Sequence, residues 1–171
     1  MMSESSQENQ LSLFVDAMRR KPAVQILELG TVSEAFLSHV VACADWATSI
    51  ELHCTDSGSP DFDSKLAAAG ENISVEFNVT KHVGSDTDIN DALMQIAESR
   101  PFDAAFISGA SSKEALLTAC MVCHESLGSA GVIGIDAGMA ASDSLAVAIS
   151  TFLEMFGADY QEIGDYIFVK A

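Results

Sequence analysis

Short apolar runs alternate along the chain with segments whose apolar residues recur every three or four positions. The runs are typical of buried strands: VQILEL (24–29), SIELHCTD (49–56), ISVEFNV (73–79), DAAFIS (103–108) and GVIGID (131–136). The helical spacing covers 11–20, 33–45, 61–70, 87–100, 112–127 and 142–156. At 159–171, DYQEIGDYIFVKA predicts two strands joined by a tight turn at Gly164 and Asp165.

Strand and helix therefore alternate five times before an antiparallel pair closes the pattern. Such alternation is typical of a parallel sheet with helices packed on both faces. We expect an α/β fold, a Rossmann-like three-layer sandwich whose mostly parallel seven-stranded sheet ends in a C-terminal antiparallel hairpin. No linker or repeat divides the chain, so we predict a flexible tail over 1–10 and one domain over 11–171.

The charge of the chain narrows the range of partners. The chain has 8 Lys and Arg residues and 25 Asp and Glu residues, which gives a formal net charge of −17. We expect no nucleic acid and no membrane as partner, because both anionic surfaces attract basic patches. The N-terminus lacks the basic and apolar regions of a secretory signal, which favours a cytoplasmic location with reduced cysteines.

The stretch CMVCH (120–124) matches the attachment pattern of covalent haem. It lies, however, inside a predicted helix, on which Leu116, Cys120, Cys123 and Leu127 share one stripe. We interpret the two thiols as core residues. A zinc site would need a second pair of ligands, and a thioredoxin-like motif would lie at a helix N-terminus.

The carboxyl ends of the predicted strands are where an open α/β sheet binds ligands. Gly30 follows the first strand and allows a tight turn. Asp56 ends the second strand, where a carboxylate can accept hydrogen bonds from a ribose diol.

Two longer stretches carry a resemblance to a known family. VQILELG (24–30) resembles the first motif of class I S-adenosylmethionine-dependent methyltransferases. PFDAAFISGASSKEALLTACMVCHESLGSAGVIGIDAG (101–138) resembles the stretch across their fourth and fifth strands, and is most similar to the small-molecule O-methyltransferase branch. The order of elements from about residue 22 onward, including the closing hairpin, fits that fold.

The resemblance implies S-adenosylmethionine as cofactor and transfer of its methyl group to a small molecule. The implied cofactor-binding residues are Glu28, Gly30, Asp56, Ser85, Asp86, Ser108 and Asp136. Glu28 and Gly30 would line the pocket, and Asp56 would bind the ribose hydroxyls. Ser85 and Asp86 would lie near the adenine, and Asp136 at the reaction end. The transfer would depend mainly on proximity and orientation, so no catalytic residue is assigned.

The chain departs from the family pattern in the turn after the first strand. ELGTVSEAF (28–36) has one glycine, where the family pattern E-x-G-x-G-x-G has three. Thr31 and Glu34 fit a capping box for the next helix, which would occupy its first N–H groups. Ser33 as the N-cap would leave that terminus more open, and the sequence does not decide between the two.

The fourth strand departs as well, because Ser108 and Ser111 stand where the related branch often has aspartate and histidine. A hard cation needs several oxygen ligands, so we predict no metal. His82, expected in the loop after the third strand, is the best-placed histidine, although a solvated loop histidine is the simpler interpretation.

Three functions stay open at this point. The first is a methyltransferase acting on a small molecule. The second is a non-catalytic methyltransferase-like binding or assembly module that has lost the cofactor and contacts a protein partner, for instance as a homodimer. The third is a nucleotide-linked oxidoreductase, which the single glycine weakens as well. Neither a G-x-S-x-G elbow nor a P-loop supports a hydrolase or an NTPase.

Overall fold

Seven strands pair into one mixed sheet in the order β3-β2-β1-β4-β5-β7-β6. The computed structural model describes residues 4–19, 21–30, 33–55, 61–71, 73–82, 101–164 and 166–171. The strands are β1 (Ala23–Leu29), β2 (Ser49–Thr55), β3 (Glu76–His82), β4 (Phe102–Ile107), β5 (Leu127–Ile135), β6 (Tyr160–Gly164) and β7 (Ile167–Lys170). β1 to β5 pair in parallel, whereas β7 is antiparallel to both β5 and β6.

Helices connect the parallel strands and cover both faces of the sheet. They are α1 (Glu4–Asp16), α2 (Glu34–Ala42), α3 (Phe62–Glu71), α4 (Lys113–Ser126), the single-turn α5 (Ala137–Ala140) and α6 (Asp143–Phe156). Two 3₁₀ turns, Cys43–Asp45 and Gly157–Asp159, follow α2 and α6. None of these helices has the length and apolar character needed to cross a membrane.

Alternate side chains of each buried strand enter two separate cores. Ile26 of β1 packs with α1, α2 and α3 on one face, and Leu27 packs with α4 and α6 on the other. This division follows from the two-residue period of a strand. Because both faces are covered, the central strands read as nearly continuous apolar runs, which explains their clear sequence signal.

The predicted fold class is confirmed, including the seven strands and the antiparallel hairpin. Several boundaries differ from the prediction, among them the start of β5 at Leu127 rather than at Gly131 and the start of β3 at Glu76 rather than at Ile73. The first helix begins at Glu4 rather than at residue 11, and Gln10 is fully buried. β3 continues through His82, which was expected in a loop. The helix predicted over 87–100 lies outside the described residues.

Parallel register brings three strand ends to one edge of the sheet. Leu29 of β1 is opposite Ile107 of β4, and Ile107 is opposite Ile135 of β5. Backbone hydrogen bonds continue the ladder by one step, from Ser108 N to Leu29 O at 2.9 Å and from Asp136 N to Ile107 O at 2.9 Å. The residues that follow these strands therefore form one continuous edge.

Candidate functional site at the carboxyl edge of the sheet

A buried carboxyl group lies at the end of β1. Glu28 is 0% exposed, and its Oε1 accepts a hydrogen bond from the Ser108 hydroxyl, across the β1–β4 pair. Its Oε2 is buried and has no hydrogen-bond partner among the described residues. Burial raises the pKa of the Glu28 carboxyl to about 7, because desolvation disfavours its charged form, and the Ser108 hydrogen bond offsets part of this rise.

Gly30 turns the chain directly beside this pair. Its φ of +121° lies in a region that side chains rarely adopt. A Cβ built on Gly30 would lie 2.6 Å from Ser108 Oγ and 2.6 Å from the backbone nitrogen of Gly109. Glycine is therefore required here both for backbone conformation and for the close approach of the segment after β4.

Thr55 holds the other side of the same turn. Its Oγ1 accepts a hydrogen bond from Gly30 N at 3.1 Å and lies 3.3 Å from Gly30 O, to which it can donate. The last residue of β2 thus restrains both backbone groups of Gly30. This places the end of β2 next to Gly30, although Asp56 itself lies outside the described residues.

Asp136 follows β5, and its side chain hydrogen-bonds the backbone two residues further along the chain. It is the N-cap of the short helix α5, where its Oδ1 accepts a hydrogen bond from Gly138 N at 2.8 Å. Such a cap satisfies one of the free N–H groups at a helix start. The carboxylate keeps further acceptor capacity, because each of its oxygens has more than one lone pair.

Gln10 of α1 joins this edge from a distant part of the sequence. Its Nε2 donates to Ile135 O at 2.6 Å, and its Oε1 accepts from Ala137 N at 3.4 Å. The buried amide thus bridges the backbone on both sides of Asp136. Gln10 was missed from the sequence, although it lies one helical turn before Phe14 and so shares the buried stripe of α1.

The helix after β1 starts with a serine cap. Ser33 is the N-cap of α2, and its Oγ accepts from Phe36 N at 3.1 Å. This was the second of the two alternatives drawn from the sequence. Thr31, which the first alternative required as cap, lies outside the described residues.

The predicted site residues fall into two groups. The structure brings Glu28, Gly30 and Ser108 into mutual proximity, and it places Asp136 on the adjacent strand end. Asp56, Ser85 and Asp86 lie outside the described residues. In that described part, no three histidine, cysteine, aspartate or glutamate side chains are grouped so that they could hold a metal ion.

A surface groove of about 650 Å³ lies elsewhere, between α2 and α3. It is lined by Glu34, Leu37, Ser38 and Val41 of α2 and by Asp61, Ser64, Lys65, Ala68 and Ala69 at α3. None of the predicted site residues that the structure describes lines it. Strand-end geometry rather than cavity size therefore defines the candidate site.

The haem-like stretch is structural. Cys120 and Cys123 are 0% exposed on the inner stripe of α4, as predicted, together with Leu116, whereas Leu127 is the first residue of β5. Burial raises the pKa of the Cys120 thiol to about 12. His124 Nδ1 lies 2.8 Å from the Tyr160 hydroxyl. Because they are buried, the two thiols are inaccessible for covalent attachment of haem.

Comparison with solved structures identifies the fold. TomG, an O-methyltransferase of Streptomyces achromogenes in tomaymycin synthesis determined with S-adenosylmethionine, superimposes with a TM-score of 0.61 at 20% identity, over 100% of this chain and 82% of that one. The chain has the class I S-adenosylmethionine-dependent methyltransferase fold.

Other proteins with this methyltransferase fold match to a similar degree. The precorrin-6y C5,15-methyltransferase of Geobacter metallireducens gives a TM-score of 0.59 at 16% identity, over 88% of this chain and 70% of that one. MycE of the mycinamycin pathway, in complex with Mg, S-adenosylhomocysteine and mycinamycin VI, gives 0.58 at 13%, over 93% of this chain and 47% of that one. No family model and no curated protein sequence matches the chain. At these identities the likeness establishes the methyltransferase fold alone.

Proposed function

We propose that the chain binds S-adenosylmethionine at the carboxyl edge of β1 and β4 and transfers its methyl group to a small molecule. One observation carries the proposal: a fully buried carboxyl oxygen, Glu28 Oε2, lacks a described partner in the position where the resemblance implies a cofactor pocket. Buried polar groups are nearly always hydrogen-bonded, so an unsatisfied acceptor at a strand end calls for a donor from a ligand.

The residues at this edge fit the chemistry of that cofactor. S-adenosylmethionine carries a sulfonium, an ammonium and a carboxylate, and Glu28 Oε2 can accept a hydrogen bond from the ammonium. Ser108 holds the other oxygen of Glu28, and Gly30 lets the backbone pass close to Ser108. The net charge of −17 also favours a cationic ligand over an anionic one.

When bound, the cofactor would supply the electrophilic methyl group, and the protein would orient it. Orientation of two reactants alone lowers a barrier substantially, so a dedicated base is not required. Three imidazoles in the described part of the chain have contacts elsewhere: His39 with Ala35 O, His53 with Glu51 and His124 with Tyr160. We therefore propose a small-molecule substrate whose acceptor atom does not depend on any of these three histidines as a base.

Calorimetric titration with S-adenosylmethionine and S-adenosylhomocysteine, with NAD as the control ligand, tests cofactor binding. We expect micromolar affinity for the first two ligands only. Ligand at 100 times its dissociation constant should add about 2.7 kcal/mol to the free energy of unfolding. Asp56→Ala should weaken binding, whereas Asp61→Ala, which also removes a carboxylate, should not. Absence of both heat and thermal shift would reject the cofactor and with it the enzyme.

A non-catalytic binding or assembly module is the second candidate. The observation that favours it is that polar side chains of the site bind other groups of the protein: Asp136 caps α5, and Ser108 hydrogen-bonds Glu28. In that case the chain would act through a protein partner, such as a second copy of itself. Analytical ultracentrifugation of the cofactor-free chain distinguishes the two, because a module of this kind should self-associate or bind a partner without S-adenosylmethionine.

A further inference from the structure

The two oxygens of the Glu28 carboxyl have different surroundings. Oε1 accepts a hydrogen bond from Ser108, while Oε2 is buried without a described partner. An ionised carboxylate offers several acceptor sites and is costly to bury unless it is compensated. A single neutral hydroxyl is weak compensation, so this geometry favours the protonated acid in the ligand-free chain.

Among the residues that the structure describes, no basic side chain compensates Glu28. In the described part of the chain, the titratable groups on the elements around the end of β1 are Glu51, His53 and Cys54 on β2, Asp103 on β4, Glu34 and His39 on α2, Glu8 and Asp16 on α1, and Asp136 after β5. His53 is paired with Glu51, and Asp103 accepts from Gln25 N and Lys21 at the other end of β4. Cys54 is opposite Glu28 in the β1–β2 register, and its side chain is buried. Glu8, Asp16 and Glu34 are exposed to solvent, and His39 is hydrogen-bonded to Ala35 O.

We propose that capture of the cofactor releases the proton of Glu28, and that Ser108 is the positioning residue that turns the free oxygen of Glu28 toward the incoming ammonium. The inference rests on the proposed function, because it concerns the same site. It adds a regulation that the fold does not specify, namely that cofactor affinity depends on pH.

The proton balance of this step is simple. The O–H bond of the Glu28 carboxylic acid breaks, the proton passes to solvent, and the resulting carboxylate accepts a hydrogen bond from the cofactor ammonium. No bond of the cofactor changes. An opposite charge within hydrogen-bond distance favours the ionised carboxylate, so the ligand supplies the compensation that the protein lacks.

Ser108 determines how strongly the proton is held. Its hydroxyl favours the ionised carboxyl, and it lowers a pKa that burial raises to about 7. In Ser108→Ala, Glu28 Oε1 loses this donor, so the acid should ionise at higher pH. A purely structural role of Ser108 would change stability without moving the pH at which affinity changes.

Calorimetry on the full chain counts the released protons. Titrations with S-adenosylmethionine at pH 6, 7 and 8, each in two buffers with different ionisation enthalpies, should show release of most of one proton at pH 6 and clearly less at pH 8, because a pKa of about 7 leaves the acid protonated at the lower pH. Affinity should rise roughly tenfold over this range, because the cost of deprotonating Glu28 disappears.

Two variants separate Glu28 from other titrating groups. Glu28→Gln should bind with weaker, nearly constant affinity and lose the proton release; subtracting its data removes any contribution of the ligand's own amine. Glu162→Gln, an exposed glutamate on β6 at the far edge of the sheet, should behave as wild type. If Glu28→Gln does not bind, Ser108→Ala decides, since it should move the affinity change to higher pH.

The possible results separate this inference from the proposed function. Binding without proton release, or an unchanged pH profile in Ser108→Ala, overturns the proton linkage and leaves cofactor binding intact. Proton release that persists in Glu28→Gln assigns the proton to another group and also overturns it. No binding at any of the pH values rejects the proposed function and the linkage together.

Discussion

The side-chain amide of Gln10 donates from Nε2 to Ile135 O at 2.6 Å, which ties the N-terminal helix to the end of β5. The two residues are separated by 125 positions in sequence. The same amide accepts from Ala137 N, so it restrains the backbone around Asp136. The helix is thus part of the candidate site as well as of the core.

Gln10→Ala should lower the free energy of unfolding by about 1–3 kcal/mol, because it leaves the buried Ile135 carbonyl without this donor. Urea denaturation measures the change. Gln7→Ala, on the same helix and only partly buried, is the matched control and should stay within about 0.5 kcal/mol of wild type. Equal effects of the two variants would contradict a role for the Gln10 bridge.

The Glu28 carboxyl should make the stability of the ligand-free chain depend on pH. Its pKa rises from 4.5 to about 7 on folding, so the folded state holds the proton more tightly than the unfolded state does. The free energy of unfolding should therefore fall as pH rises from about 4.5 to about 7, by up to about 3 kcal/mol in total.

Glu28→Gln mimics the protonated acid and should remove this slope. Denaturation of wild type, Glu28→Gln and Glu162→Gln at several pH values, compared pair by pair, isolates the Glu28 contribution from the many other carboxylates. If the free energy of unfolding depends on pH in the same way in all three proteins, Glu28 is ionised over the whole pH range measured.

Ser108→Asp would return the residue that the related methyltransferase branch often has, and it would place a second carboxyl against Glu28. Two facing carboxylates disfavour ionisation of both, so the variant should lose at least about 1 kcal/mol more at pH 8 than at pH 5 relative to wild type. Ser108→Ala, which adds no charge and only removes the hydrogen bond that favours ionised Glu28, should show a smaller extra loss at pH 8. If Ser108→Asp lowers the free energy of unfolding equally at the two pH values, the carboxyls at positions 108 and 28 are not in close contact.

Gly30→Ala should destabilise the chain by about 2 kcal/mol or more. A φ of +121° strains any side chain, and the added Cβ would meet Ser108 Oγ and Gly109 N at 2.6 Å. Gly70→Ala in α3 is the control, because its Cβ would meet only Phe77 Cδ1 at 3.8 Å. Since alanine is the better helix former, that control should be neutral or slightly stabilising. Thermal unfolding of both variants provides the comparison.

The thiols of CMVCH should not react in the native state. Cys120 and Cys123 are fully buried, and burial raises their pKa values, so thiolate is scarce at neutral pH. A colorimetric thiol reagent should label them only at the rate of unfolding. Rapid labelling of either thiol would mean that α4 opens locally.

The fold could be predicted from the sequence because each strong signal is local. Residues such as Ile26, Leu52 and Ile133 lie in runs that are buried on both faces, and glycines or a proline end most elements. The helix start was predicted too late because Ser5, Ser6 and Gln10 are polar, and apolar spacing alone does not detect a buried amide.

The candidate site could be predicted only in part. Gly30 was singled out because it follows the first strand, and Glu28 and Ser108 were assigned through the resemblance to the methyltransferase family. The hydrogen bond from Ser108 to Glu28 joins residues 80 positions apart and depends on side-chain orientation, which periodicity does not specify. Thr55 was missed because the acidic neighbour Asp56 carried the functional signal at that strand end.

The position of β7 between β5 and β6 has a consequence for biosynthesis. β6 leaves the ribosome first, yet its place in the sheet exists only after β7 has paired with β5. The two strands should therefore join the sheet together as one hairpin, and until then β5 offers an open edge to other nascent chains. In pulse-labelling hydrogen exchange, the amides of β6 and β7 should gain protection in the same phase.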